Sequence, residues 1–259
     1  MDKSNRRPKP QRLTSGHIQG LAKDALNVAR GNLNPEASKR IESASDWLER
    51  FCLSNKFDAG IAVETITSRG LHPDAIVDYC IPRVARKYGE EWAYDTLSFA
   101  TVTAGCAHLQ LILKHIINTR GVDVQDGNGK CILLAAVAPE QHTLGALVLA
   151  DQLRRMGYSV KMCVSISAAE VSRYVEQSKF HAVLFSASSV ETVLASAQCV
   201  NQIRQNYKYQ PLIFLGGSVI TSHRDITSRE VFDYVTNKLD DIVNSIEDAT
   251  HSVVRYRRQ

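Results

Sequence analysis

The second half of the chain alternates between short apolar runs and amphipathic stretches, and this alternation constrains the fold more than any other feature. Cys131–Val137 is a continuous apolar run, as expected of a strand covered on both faces. Further apolar runs lie at 158–164, 182–185 and 211–215, with a weaker one at 233–235. Between and after them, 145–156, 168–177, 190–206 and 239–250 carry apolar residues at helical spacing. Strand and helix alternating at these lengths predict an α/β domain with a parallel, doubly wound sheet of about five strands, Rossmann-like or flavodoxin-like.

The first half has a different period. Residues 34–121 read as a helical bundle, and Asp126-Gly127-Asn128-Gly129 is the turn-rich boundary before the α/β domain of 130–259. The first helix has Asn34 as cap, Pro35 at its first position and an early acid in Glu36. A second runs from Asp58 to Gly70. A third starts near Pro73, is expected to bend or break at Pro82, and is expected to end at Gly89. The fourth is expected from about Asp95 to Arg120, closed by Gly121. Residues 1–33 form a basic, partly disordered segment with room for one helix at 17–30.

Composition narrows the class. Of 259 residues, 44% are hydrophobic and 22% charged, which fits a globular protein and not a disordered one. No apolar run approaches the roughly 18 residues of a membrane span, and no apolar core follows the basic N-terminus as a secretory signal would require. A cytoplasmic location is expected. The six cysteines are widely spaced in apolar surroundings, without zinc-ligand spacing, and read as reduced thiols. Lys3, Arg6, Arg7, Lys9 and Arg12 at one end, with Arg255, Arg257 and Arg258 at the other, leave room for weak, salt-sensitive DNA contact.

In a doubly wound sheet, ligands bind in loops beyond the carboxyl ends of the strands. Three such loops stand out here: Glu140, His142, Thr143, Leu144 and Gly145 after the first strand; Ser186 and Ser188 after the third; Gly216 and Gly217 after the fourth. Taken singly, these are a solvated histidine, a helix cap and turn glycines. No GxGxxG turn marks a dinucleotide site, and the third strand ends in serines where a phosphate-accepting receiver domain needs an acid.

Taken together, Glu140-x-His142-x-x-Gly145, Ser186-x-Ser188 and Gly216-Gly217 resemble the cobalamin-binding signature DxHxxG…SxL…GG, spaced by about forty and then about thirty residues. Glu140 stands for the usual Asp, and Ser188 for the usual Leu or Thr. The resemblance implies that His142 displaces the cofactor's own benzimidazole and ligates cobalt from below. Imidazole suits a transition metal, and Glu140 would hydrogen-bond its other nitrogen. Gly145 would let the backbone approach the corrin. Ser186, Ser188, Gly216 and Gly217 would receive the displaced nucleotide tail.

The segment from Trp92 to Gln110, ahead of this domain, resembles the helical cap of the AerR/PpaA family of cobalamin-binding regulators of photosynthesis genes. The resemblance implies Trp92 as a lid over the upper corrin face and a transcription factor of the CrtJ/PpsR type as partner. Light-sensing relatives carry a Glu-His pair where this chain has Val102 and Thr103. His108 and His115, further along the same helix, are alternative upper-face ligands or simply bundle residues. The expectation is a non-enzymatic, light-responsive antirepressor using adenosyl-, methyl- or hydroxocobalamin. A corrinoid carrier subunit of a methyltransferase system is the alternative.

Overall fold

The computed structural model describes residues 35–120, 129–222 and 230–256. The helix considered for 17–30 and the basic residues of both termini lie outside the described residues or have undescribed side chains. The chain forms two compact units, one through Ile116 and one from Ile117.

The first unit contains α1 (Pro35–Cys52), α2 (Ala59–Thr67), α3 (Pro73–Ala75), α4 (Ile81–Ala93) and most of α5 (Phe99–Arg120). Leu48, Ile66, Ile76, Ile81, Leu109, Ile112 and Leu113 fill its core. Pro82 does not break the third helical segment. A π-helical turn, Ile76–Cys80, joins α3 to α4, and Pro82 falls in the first turn of α4, where its missing N–H costs nothing. Nor does Gly89 end the segment, because α4 continues to Ala93. The last long helix starts later than expected, at Phe99. Asp95 instead takes a left-handed conformation (φ 57°), and the Ser98 hydroxyl accepts a hydrogen bond from the Thr101 N–H as a cap.

Gly105 marks a tight crossing in this bundle. A Cβ there would lie 2.6 Å from the Tyr88 ring and 3.0 Å from Leu53. Tyr88 is fully buried and donates its hydroxyl to the Glu49 carbonyl at 2.7 Å, so its ring has nowhere to retreat.

The second unit is the α/β domain. Its strands are β1 (Cys131–Val137), β2 (Ser159–Ile166), β3 (Ala182–Ser186), β4 (Leu212–Gly216) and β5 (Tyr234–Val235). All pairs are parallel, in the order β2-β1-β3-β4-β5. This is the fold class expected from the sequence. The helices are α6 (Leu144–Arg155), α7 (Ala168–Gln177), α8 (Val190–Asn206), α9 (Val219–Ser222) and α10 (Leu239–Tyr256). One face of the sheet packs Ile132, Leu134, Leu184 and Phe214 against α6 and α10. The other packs Leu133, Val183, Phe185 and Ile213 against α7 and α8. From β1 the chain leaves along α6 on the first face towards β2, and from β3 it leaves along α8 on the second towards β4. The order therefore reverses between adjacent strands β1 and β3, and the crevice beyond their carboxyl ends is the ligand position of such a sheet.

All six cysteines are free thiols, and burial, the largest influence, pushes Cys52 up to about 12. Among the described residues no helix is long and apolar enough to cross a membrane.

Alanine at Gly105 gains up to about 1 kcal/mol of helix propensity but must force Tyr88 aside, an overpacking cost of about 1–3 kcal/mol. Gly105→Ala is expected to be net destabilising in urea unfolding, whereas exposed Gly89→Ala, with open space around its Cβ, should be neutral or stabilising.

Candidate functional site

The loops after β1 and β3 meet through one carboxylate. Glu140 is 1% exposed and is anchored by its own N–H donating to the Val137 carbonyl at 2.9 Å. Its Oε1 accepts from the His142 backbone N–H at 2.7 Å and from the Ser188 hydroxyl at 2.9 Å, and His142 Nδ1 lies 3.0 Å away. Its Oε2 accepts from the Ser188 N–H at 2.6 Å. Burial raises the pKa of Glu140, but the hydrogen bonds from the His142 side chain and backbone and from Ser188 outweigh it and hold the group down to about 2.

The same network assigns the histidine tautomer. Nδ1 lies 2.9 Å from the Ser188 hydroxyl and 3.0 Å from the carboxylate. With the hydroxyl proton given to Glu140, both neighbours accept, so the proton sits on Nδ1. Nε2 then carries the lone pair, on a side chain 79% exposed. The hydrogen bond to Glu140 raises the His142 pKa above its ordinary 6.5, against the smaller opposing effect of burial.

Thr143 occupies the cap position of α6, Leu144 opens that helix and Gly145 follows with open space where a Cβ would stand. Ser186 ends β3, and its hydroxyl has no hydrogen-bond partner among the described residues. The Ser188 hydroxyl lies 2.9 Å from both Glu140 Oε1 and His142 Nδ1. The glycine pair is dictated by packing within the domain. Gly217 has φ +110°, and a Cβ there would lie 2.1 Å from the Ala187 carbonyl oxygen. At Gly216 it would meet the Thr236 carbonyl at 3.2 Å.

Two supporting residues were missed by sequence reasoning. Buried Thr192 accepts from the N–H groups of Ser188 (3.2 Å) and Ser189 (3.1 Å); the capping-box spacing of Ser189 and Thr192 was the available signal. Asn237 brackets Gly217 with its side-chain amide, and nothing in the sequence around it marks that role.

In the helical unit, Trp92 is 50% exposed at the end of α4, and its ring centroid lies 6.2 Å from that of exposed Phe99. His108 is committed to the bundle: Nδ1 lies 2.6 Å from the Cys52 carbonyl and the ring stacks on Phe57 at 3.8 Å. His115 packs beside Gly60.

Comparison with known proteins identifies the class of the α/β unit. The B12 binding domain model matches residues 130–248, so the α/β unit is of the B12-binding class. An uncharacterized 20.5 kDa protein from the bchF-crtJ intergenic region of Rhodobacter capsulatus is 31% identical over 173 residues, covering 66% of this chain and 90% of that one. The chain belongs to the AerR/PpaA-like family of B12-binding-domain proteins. The monomethylamine corrinoid protein of Methanosarcina barkeri shares the fold, with a TM-score of 0.62 at 11% identity over 80% of this chain and 98% of that one.

The residues present fit a corrinoid. A neutral imidazole with a fixed tautomer, an accessible Nε2 and a buried anion behind it is the donor set a transition metal takes from histidine.

The pH dependence of stability follows from the two shifts. The depressed Glu140 contributes stability that is fully present above its ordinary 4.5 and is lost as pH falls towards about 2. The raised His142 contributes stability present below 6.5 and lost as pH rises through its folded value. Glu140→Gln should therefore be less stable than the parent at neutral pH, with the gap closing between about pH 4.5 and 2 in cofactor-free acid unfolding. A gap independent of pH would contradict the assignment.

Proposed function

We propose that this chain is a cobalamin-dependent, light-responsive regulator of transcription that holds the cofactor base-off with His142 as the lower cobalt ligand. The observation that carries the reading is the His142–Glu140–Ser188 arrangement at the β1/β3 switch point, which presents Nε2 with Nδ1 protonated. A bound corrinoid supplies a cobalt centre whose upper ligand can be exchanged or released by light.

The chain's own residues would do the rest. Glu140 orients the imidazole and raises its basicity. Ser188 completes the carboxylate's shell, and Gly145 lets the loop backbone come close to a flat ring system. Ser186 offers a hydroxyl to the polar atoms of the nucleotide tail. Thr143, Leu144, Gly216 and Gly217 form the remaining protein wall. Exposed Trp92 is suited to cover the upper corrin face, and a change there would shift the population of helical arrangements offered to a partner. Adenosyl-, methyl- and hydroxocobalamin are the candidate forms.

The regulatory part rests on the family. The Rhodobacter capsulatus relative is described by a location beside crtJ, which favours a transcription factor of the CrtJ/PpsR type as partner. Any DNA contact would be weak, salt-sensitive and carried by the basic termini. The corrinoid-carrier reading draws on the fold shared with the monomethylamine corrinoid protein. Methyl transfer to a partner methyltransferase, against illumination-dependent binding to a repressor, separates the two.

Purified protein with hydroxocobalamin should show a base-off, histidine-ligated spectrum, and His142→Ala should abolish it; an unchanged spectrum in the variant would refute the ligand assignment. Glu140→Gln should weaken cobalamin binding by about 10- to 100-fold in equilibrium titration.

A further inference from the structure

The turn after β4 is held by a side chain where a backbone would be expected. β4 and β5 pair as Phe214 with Tyr234 and Leu215 with Val235, and the Thr236 N–H donates to the Leu215 carbonyl at 3.0 Å. There the ladder of main-chain bonds stops, and Asn237 continues it. Its Oδ1 accepts from the Gly217 N–H at 2.7 Å, and its Nδ2 donates to the Gly217 carbonyl at 3.0 Å. One amide thus fixes both polar groups of a glycine whose backbone lies in the left-handed half of φ space.

That glycine is in contact with the segment that carries Ser188. The Ala187 N–H donates to the Gly216 carbonyl at 3.0 Å, and the Ala187 carbonyl accepts from the Val219 N–H at 3.3 Å. The place a Gly217 Cβ would take is filled by Ala187 main-chain atoms. Ala187 is the residue between Ser186 and Ser188. A continuous series of bonds and contacts therefore runs from Asn237 through Gly217 and Ala187 to Ser188, then to Glu140 and His142. Asn237 is itself exposed, so burial gives it no part in the core.

We propose that Asn237 is a positioning residue for the Glu140–His142 pair, acting through Gly217 and Ala187. This deepens the reading of His142 as lower ligand and rests on it for its functional consequence. The geometric consequence is independent of any cofactor. Without the clamp, the Gly217 turn loses both amide bonds, Ala187 loses its fixed neighbour, and the two Ser188 donors no longer meet Glu140 at one geometry.

The test compares Asn237→Ala with Arg204→Ala as a control of similar kind. Arg204 holds Asp233 at 2.7 and 2.6 Å, and Asp233 accepts from the Ile213 N–H, so this control loosens the opposite end of the β4–β5 pairing. In 15N-labelled, cofactor-free protein at a pH where imidazole is neutral, the ring shifts of His142 report the tautomer. The parent and Arg204→Ala should show the Nδ1-protonated form, and Asn237→Ala a mixture of both. Affinity for hydroxocobalamin should fall about 10-fold in Asn237→Ala and stay near the parent value in Arg204→Ala. Asn237→Asp, which keeps the acceptor for the Gly217 N–H but faces its carbonyl with an anion, should not restore the parent tautomer.

A parent-like tautomer in Asn237→Ala would overturn the proposal, as would equal losses of affinity in the two alanine variants. If the parent protein binds no cobalamin, the lower-ligand reading fails, and the tautomer comparison still decides the role of Asn237.

Discussion

A buried anion at the end of a parallel sheet organises the candidate site. Removing a carboxylate from water is costly unless its oxygens are fully engaged. Glu140 meets that requirement with donors from its own loop and from the loop after β3: the His142 backbone N–H and Nδ1, and the Ser188 backbone N–H and hydroxyl. Satisfying the carboxylate and orienting the histidine are thus one event. The sheet order makes this possible, because β1 and β3 are neighbours and their following helices depart to opposite faces. Glutamate in place of the more usual aspartate of the signature gives the carboxylate one more methylene of reach, and serine at 188 supplies a hydroxyl for it to find. The two departures from the signature answer each other.

Much of this was legible in the residues. Fully apolar runs of strand length, separated by amphipathic stretches, define a parallel sheet because only strands covered on both faces can be apolar throughout. The carboxyl-end rule then selected the loops at 140–145, 186–188 and 216–217 without knowledge of any contact. Boundaries that depend on local backbone chemistry were less visible. Proline 82 reads as a breaker, yet a preceding π turn places it where a helix start tolerates it. Gly89 reads as a stop, yet burial of Tyr88 and the continuation to Ala93 outweigh a weak local preference.

Roles assigned by motif position were the least legible. Ser186 and Ser188 look equivalent in sequence, but one ends a strand, its hydroxyl without a hydrogen-bond partner among the described residues, and the other turns back onto Glu140. The glycine pair reads as turn chemistry in sequence, and the structure adds a packing reason: the Ala187 and Thr236 main chains stand where side chains at 217 and 216 would be. Asn237 lies about twenty residues beyond the pair and reaches it only through the β4–β5 pairing, a tertiary relationship that local pattern cannot express. His108 looks like a candidate ligand until the stacking on Phe57 and the bond to Cys52 commit it to the bundle.

Ligation by histidine in place of the cofactor's own benzimidazole would leave a direct mark in the electron paramagnetic resonance spectrum. In the reduced Co(II) state the axial nitrogen splits the cobalt lines, as a triplet for 14N and a doublet for 15N. Protein grown with 15N-histidine and loaded with unlabelled cobalamin is expected to give the doublet. A triplet retained from the unlabelled benzimidazole would contradict the account.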